Sequence, residues 1–586
     1  MDSRARGHEL ASNAAAAIEV LEASTALPQL QDGFSLLSFN TLLPNPVNGD
    51  GWWIYKMYQP HVPEEHRAWP HRQALLREQI LGALADVVCI QEASAGTFED
   101  DFSFMAEAGY DHVLHRKFRF RCATFWRRDR LELGAEKHKD RTLITELRTV
   151  PAGGGGHGHG AGAGDRHGAE EGAVAKEGAS GPGVVVGGAE GGSCSAVKEG
   201  SGVAAAGKGK GKGKGKGVIA EGEGEGEGGG RVRRRSLYVV NCHLTGGPAP
   251  DRRLRQVVDA LDTVRKEAVR SSPGTAGQKS GGGSGGNGSD NSAPVPVVLC
   301  GDLNSDGRTA VWELLTSGRV PAGFREASFP EVQVTSKDKK QTLGPLEDAY
   351  ENAYPDHDNT LPGRAPGPPP TFLVPLLHPL FLAPALKEEE SVEGDDGASR
   401  ENGGDGGGGH AAAGGTRVRF AWELSPQLVT SLRAMFERFA RDGASAGAGC
   451  AMDAAAVDAW LTRINGSPGR GSEARTAQKL MEERGEGLLT WADFLSVYWA
   501  ELNEGKFWGV AHDLQVCEVP LEVGEWAGPY QARLDHVFYS TGALEAAAVR
   551  EPLSEGGRDL VYGGDCLPNS WHPSDHLPIA GVFRFK

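Results

Sequence analysis

The chain has 586 residues, and its 61 Lys and Arg against 78 Asp and Glu leave a formal net charge of −17 with His neutral. A sequence-blind binder of duplex nucleic acid is normally basic, so this balance argues against one; a phosphate substrate would have to be held locally, with help from a metal cation. Gly supplies 84 residues, 31 of them within the 80 residues 151–230, a stretch too poor in apolar side chains to offset its ordering entropy.

Eight Cys, at positions 89, 122, 194, 242, 300, 450, 517 and 566, form no CxxC pair. They read as free thiols in a reducing compartment, the cytoplasm or the nucleus. The N-terminal 24 residues carry acids and lack a signal-peptide apolar core. The most apolar run, Phe372 to Leu386, is too short to span a bilayer and is broken by Pro375, Pro379 and Pro384, so no membrane span is expected.

In chain order, FSLLSFN (34–40) predicts a strand, HRQALLREQILGALA (71–85) a helix and DVVCIQE (86–92) a buried strand. CATFWRR (122–128), LITELR (143–148) and SLYVVNCHL (236–244) follow as strands, then the helix DRRLRQVVDALDTVRKEA (251–268) and the strand PVVLCGDLN (296–304). TAVWELLTSG is a short helix closed by Gly318. RLDHVFYS (533–540) and LPIAGVFRF (577–585) end the chain as strands. This alternation predicts an α/β layered architecture. Between Leu424 and Lys506 the pattern becomes four amphipathic helices, a small all-α insertion.

The predicted organisation has a disordered N-terminus over 1–32 and a catalytic domain assembled from 33–150, 231–386 and 511–586. Low-complexity linkers fill 151–230, 271–293 and 387–416, and the helical insertion fills 417–510. His157 and His159 in the first linker, and its Lys-Gly run, read as parts of a solvated spacer rather than ligands.

The predicted strand ends read SFN, QE, CHL, GDLN, LDH and PSDH. Open α/β folds place their sites at such ends. Singly each is a turn, a cap or a core histidine; six in this order are not explained as turns. The ordered set resembles the endonuclease/exonuclease/phosphatase superfamily, and within it the deadenylase-like branch that includes nocturnin, angel and the carbon catabolite repressor-type deadenylases. LLSFNTLL, AWPHRQALLREQILGALADVVCIQE, CGDLNSDGRTAVWELLTSGRV, LDHVFYS and LPNSWHPSDHLPIAG carry the resemblance.

The resemblance implies a two-sheet sandwich flanked by helices and a magnesium-dependent hydrolase of phosphate esters. Mg²⁺, with Mn²⁺ as a substitute, would be ligated by Glu92, Asn40 and Asp575; hard cations of this kind prefer oxygen donors and keep several waters. Asp302 would orient or deprotonate the attacking water, with Asn304 completing the shell. His576 would stabilise charge on phosphorus, Asp535 would fix its tautomer, and His243 would donate to a non-bridging phosphate oxygen. Arg72 is carried over as a substrate-binding residue. Tyr530 is read either as a base-stacking aromatic or as a Tyr packing a loop. The branch has Gly where this chain has Arg121 and Tyr where it has His536, departures that touch groove shape rather than the ligands.

The implied substrate is an RNA 3′ end, as for a 3′-5′ exoribonuclease of the poly(A)-specific type. A phosphatase acting on a nucleotide or other small phosphate, and a non-catalytic calcium-responsive interaction protein, are the alternative readings. No leucine-rich scaffold-docking repeat precedes the catalytic region. The inserted helices resemble a degenerate pair of EF-hands, with candidate loops Asp442–Asp453 and Glu482–Asp493. The first has Ala at its third, fifth and seventh positions and the second has Arg484 at a ligand position, so Ca²⁺ is not expected there. The insertion is instead expected to be structural or to dock a partner protein, and to be dispensable for chemistry.

Overall fold

Residues apolar on both faces make the central strands. In the computed structural model, which describes residues 18–46, 51–150, 234–271, 294–330, 332–354, 367–385, 421–440, 450–485, 487–503, 505–519 and 528–586, Val87 and Cys89 point into one core while Val88 and Ile90 point into another. Such strands need cover on both sides, which is why they read as continuous apolar runs. The expected linkers, the His157 and His159 pair and most of the first candidate calcium loop lie outside the described residues.

The elements that position the site are, in chain order, β1 (Glu19–Leu21), β2 (Gly33–Asn40), α1 (Trp69–Gly82), β3 (Val87–Ser94), β4 (Tyr110–Leu114), β5 (Phe120–Arg127), β6 (Leu131–His138) and β7 (Thr142–Thr149). They continue as β8 (Ser236–His243), α2 (Pro250–Ser271), β9 (Val297–Asp302), α3 (Ala310–Ser317), β10 (Glu347–Asp348) and β11 (Phe372–Pro375). The inserted helices are α4 (Pro426–Phe439), α5 (Ala454–Asn465), α6 (Gly471–Arg484), α7 (Trp491–Asn503) and α8 (Phe507–Val516). β12 (Pro529–Ala532), β13 (Asp535–Tyr539), β14 (Leu544–Arg550) and β15 (Ile579–Phe585) complete the chain.

Seven strands form one sheet in the order β1-β14-β15-β2-β3-β5-β4, and six form a second in the order β10-β13-β9-β8-β7-β6. Phe34, Leu36, Val87, Cys89, Val239, Val298, Cys300, Val537 and Phe583 fill the space between them. The outer face of the first sheet is covered by Leu76 and Ile80 of α1. That of the second is covered by Leu254, Val257, Leu261 and Val264 of α2, spaced on one helical face, and by Leu314 and Leu315 of α3. The expected two-sheet sandwich flanked by helices is the architecture observed. No helix among the described residues is long and apolar enough to cross a membrane. Cys89, Cys122, Cys242 and Cys300 are free and buried in these layers.

Two boundaries differ from expectation. The segment expected to be disordered before residue 33 contains β1, which adds to the first sheet as a parallel edge strand, Val20 opposite Val549. Three backbone pairings hold it there, and a strand of three residues is too short to give a periodic signal. The helical insertion also runs past 510: Val510, Leu514, Cys517 and Val519 share a core with Phe381, Leu428, Phe436, Trp460 and Phe494.

Nor does the insertion stand apart from the catalytic layers. Lys56, 6% exposed, places its ammonium 2.9 Å from Asp513 Oδ1 on α8 and 3.6 Å from Glu473 Oε1 on α6. Burial disfavours its charge, but the carboxylates of Asp513 and Glu473 outweigh that and raise its pKa. Trp53 stacks on Trp508 with ring centroids 5.4 Å apart, and the Arg470 guanidinium lies 5.3 Å from the Trp52 ring centre. The insertion is therefore not free-standing: a buried ion cluster bolts it to the segment that follows β2.

Two predictions follow from this packing. Arg148 of β7 pairs with Ser236 of β8, so the chain between them closes a hairpin. Replacing 151–233 by a short Gly-Ser turn should hold or raise Tm in a thermal melt, since each halving of a loop removes about 0.6 kcal/mol of closure entropy. A lowered Tm would show that the segment supports the fold. Lys56→Met strands two buried carboxylates and should destabilise by about 3–5 kcal/mol in denaturant unfolding; an unchanged midpoint would refute the bolt.

Candidate active site

Strand register assembles much of the cluster. His243 at the end of β8 lies opposite Asp302 at the end of parallel β9, and Asp302 lies opposite Asp535 at the start of antiparallel β13. An imidazole and two carboxylates thus sit in a row across adjacent strands, at one end of the second sheet. On the first sheet, Asn40 ends β2 opposite Gln91. The β3–β5 ladder then bulges between Ile90 and Ala93, and Glu92 takes a positive φ of 66°. A bulge re-aims the extra residue, and here it turns the Glu92 carboxylate toward Asn40 and His243.

Asp302 is the hub. Its Oδ2 accepts from Asn40 Nδ2 at 3.1 Å and Asn304 Nδ2 at 3.0 Å. His243 Nε2 lies 3.6 Å and His576 Nε2 4.0 Å from the same oxygen. Its other oxygen accepts from the Asn304 backbone N–H at 2.7 Å, a local turn that suits the positive φ of 49° at Asn304. Glu92 Oε1 lies 3.5 Å from Asn40 Nδ2 and 3.6 Å from His243 Nε2, and its Oε2 accepts from the Leu43 N–H at 3.1 Å.

His576 Nδ1 lies 2.8 Å from Asp535 Oδ2, which leaves Nε2 facing the hub. Burial opposes a charged ring, but the Asp535 and Asp575 carboxylates, the Asp535 hydrogen bond and Asp302 outweigh it and raise the pKa to about 10. These carboxylates favour the imidazolium form of His576. Burial raises the Asp302 pKa, with His576 and His243 opposing the shift. Burial also pushes Asp575 up to about 6, His576 opposing and Glu92 adding to it. A carboxyl cluster held this high is one that gains from a cation.

The donor set fits a hard divalent metal. Glu92 and Asp575 would supply carboxylate oxygens and Asn40 an amide oxygen, beside the Asp302 carboxylate. Among the described residues no three His, Cys, Asp or Glu side chains are grouped so as to hold a metal ion by themselves. Mg²⁺ does not require such a group, since it binds through one or two carboxylates and retains waters.

Of the residues singled out from the sequence, the structure brings together Asn40, Glu92, His243, Asp302, Asn304, Asp535, Asp575 and His576. Tyr530, 47% exposed, stands on β12 at the rim, its ring 6.2 Å from Phe372 in an edge-on contact, and lines a cavity with Asp575. Arg72 is the correction. It is fully buried, and its guanidinium donates to the carbonyls of Pro573 (2.8 Å), Leu43 (2.9 Å), Thr41 (2.9 Å) and Leu42, and to Asn45 Oδ1 (2.7 Å). Those acceptors use all five guanidinium N–H groups. No N–H is left for a substrate, and Arg72 instead shapes the loop carrying Leu43, whose N–H holds Glu92.

Sequence reasoning missed Ser574, although it lies within PSDH. Its Oγ donates to the Asn40 carbonyl at 2.7 Å and accepts from the His576 N–H at 3.2 Å, tying the end of β2 to the segment that leads into β15. Phe372, whose ring centre is 5.0 Å from that of His576, gave no motif signal. The departure at His536 is explained by a buried partner: its Nδ1 lies 2.9 Å from Asp348 Oδ2, and Arg533 reaches Asp348 Oδ1 at 2.6 Å. Burial opposes the Asp348 charge, yet Arg533 and His536 hold its pKa at about 2. Arg121 pairs across the bulge with Ala93, beside Glu92, and donates to the Phe118 carbonyl at 2.8 Å.

Arg72→Lys keeps the charge but offers at most three donors, leaving at least two buried acceptors unpaired. It should cost about 2–5 kcal/mol of stability, measured by denaturant unfolding without metal or substrate. Unaltered stability would return Arg72 to a ligand-binding role.

No family model matches the chain. Over 103 residues it is 32% identical to the CCR4-Not complex 3′-5′-exoribonuclease subunit Ccr4 of Candida glabrata, 17% of this chain and 11% of that protein. Over 113 residues it is 32% identical to carbon catabolite repressor protein 4 homolog 2 of Arabidopsis thaliana, 17% of this chain and 18% of that one. The chain thus spans less than a fifth of the length of these curated relatives. Among solved structures, ANGEL2, described as a 2′,3′-cyclic phosphatase, matches at 13% identity and TM-score 0.40 over 95% of this chain and 97% of that one. The human nocturnin catalytic domain matches at 10% identity and TM-score 0.34 over 96% of each. In sequence, the chain is similar to the deadenylase-like branch of the endonuclease/exonuclease/phosphatase superfamily.

Proposed function

We propose that this protein is a metal-dependent hydrolase of phosphate esters, acting as a 3′-5′ exoribonuclease on RNA 3′ ends. The observation that carries the reading is Asp302 Oδ2, which four side-chain nitrogens, from Asn40, Asn304, His243 and His576, approach within 4.0 Å. A pocket that gathers N–H donors and an imidazolium around one buried carboxylate suits an anionic phosphate with an activated water beside it. The sequence likeness to Ccr4-type exoribonucleases supports RNA as the substrate class. The unpaired, buried cysteines support a reducing compartment, the cytoplasm or nucleus.

Glu92, Asp575 and the Asn40 amide oxygen would hold Mg²⁺, or Mn²⁺ in its place. Bound there, the metal supplies charge neutralisation at the phosphate and a lowered water pKa. The chain's own part is positional and electrostatic. Asp302, fixed by Asn304 and Asn40, accepts a proton from the attacking water at Oδ2. His243 Nε2 donates to a non-bridging oxygen. His576, protonated and clamped through Nδ1 by Asp535, presents Nε2–H to the charge that develops on phosphorus. Asp535 holds the ring in that tautomer.

Groups needed chiefly in the transition state lower kcat with little change in binding. Asp302→Ala and His576→Ala should each lower turnover of a short oligoadenylate about 10²-fold or more. Asp535→Asn should be a milder His576 defect. Activity should vanish with EDTA and return with Mg²⁺ or Mn²⁺. Normal turnover by Asp302→Ala, or hydrolysis without metal, would overturn the assignment. Preference for mononucleotides or cyclic phosphates over RNA in the same assay would move the substrate, not the chemistry.

A further inference from the structure

We propose that the helical insertion is part of the substrate-binding face, its Phe507 and Trp508 forming one wall of an apolar slot that receives a nucleobase of the substrate. The proposal deepens the phosphodiesterase reading and rests on it for the identity of the ligand. The slot is a cavity of about 410 Å³. Phe372 and Tyr530, from the paired strands β11 and β12, line it together with Met57, while Phe507 and Trp508 at the start of α8 enter from the insertion. Asp575 of the candidate metal set also lines it. A group filling this space therefore lies beside the candidate metal set.

The lining chooses the group. Asp575 is the one charged side chain lining the slot among the described residues. Among those residues no Lys, Arg or His lines it to hold a phosphate deep in the slot, and away from the metal-facing end its surface is apolar. Aromatic faces with an apolar floor accept a flat, neutral ring, and a nucleobase is the flat, neutral part of an RNA end. Stacking of a base on such a face is worth a severalfold to about hundredfold gain in affinity.

The wall is held in place before any ligand arrives. Trp508 stacks on Trp53 at 5.4 Å with planes 27° apart, and Phe507 stacks on Phe381 at 6.3 Å with planes 3° apart. One turn and a half along α8, Asp513 takes the buried Lys56 ammonium. Met57, the neighbour of Lys56, lines the same slot. The ion cluster thus fixes both the wall and part of the floor, which gives the insertion's attachment a purpose beyond stability.

Binding of adenosine 5′-monophosphate and of ribose 5-phosphate to the full-length chain, measured by calorimetry with Mg²⁺, tests the slot. The full chain should bind the base-bearing compound about fivefold or more tightly than the base-free one. Trp508→Ala should abolish that ratio, and Trp508→Phe should keep most of it. Leu376→Trp, which adds bulk at another lining position outside the Trp53–Trp508 pair, should also abolish it. Equal affinity of the full chain for both compounds, or an unchanged ratio in both Trp508→Ala and Leu376→Trp, would overturn the proposal. Loss of affinity for both compounds alike would assign Trp508 to packing alone and overturn it too. Absence of hydrolysis by the full chain would refute the phosphodiesterase reading while leaving this ratio to judge the slot.

Discussion

The whole site hangs on how closely β9 approaches β8. A Cβ at position 301 would stand 2.1 Å from the Cys242 carbonyl oxygen, and Gly301 has φ of 120°, a region a side chain rarely enters. Glycine there lets the parallel strands run at full pairing distance up to their last residues. Only then does His243 fall beside Asp302, and only then does antiparallel β13 bring Asp535 to the other side. Reactivity in this chain is a matter of register: two strand pairings, neither tolerant of a slip by one residue, since such a slip would turn each side chain to the opposite face.

How far the sequence disclosed this depended on the physics of each segment. Strands buried on both faces, such as Val297–Asp302 and Val87–Ser94, announce themselves by a continuous apolar stretch opening on two valines and were legible within about two residues. The helix Pro250–Ser271 was equally plain, because Leu254, Val257, Leu261 and Val264 fall on one face. Leu131–His138 was not: its LELGAEKH is polar and poor in β-branched residues, and it is a strand because β7 offers its edge. The eight polar residues that meet at the hub were all visible at predicted strand ends, where chemistry and pattern coincide.

What escaped was whatever depends on a distant partner. Arg72 looks like a phosphate ligand in sequence and is a loop anchor in three dimensions, because its acceptors come from residues 41–45 and from Pro573. His536 looks like a substitution at a functional position and is half of a buried pair with Asp348. The insertion read as a separable unit since its helices are self-consistent, yet one lysine outside it neutralises two of its carboxylates. In the insertion itself, Arg484 sits on Asp493, 2.7 Å from its Oδ2. A guanidinium thus occupies the charge-neutralising role that a cation would have in a working loop of this kind.

Thiols lie between and against the sheets, and their position has its own consequence. Cys89, Cys122 and Cys300 fill the interface between the layers, and Cys242 lies on the outer face of the second sheet next to His243. Burial raises the pKa of Cys89, Cys122 and Cys242, so the reactive thiolate is scarce in the closed state. Alkylation at these positions then requires the strands carrying Glu92, His243 and Asp302 to separate or expose an edge. The rate at which a thiol reagent labels them under native conditions is a built-in clock for the opening of the catalytic end of the sandwich, free of any need for substrate or metal.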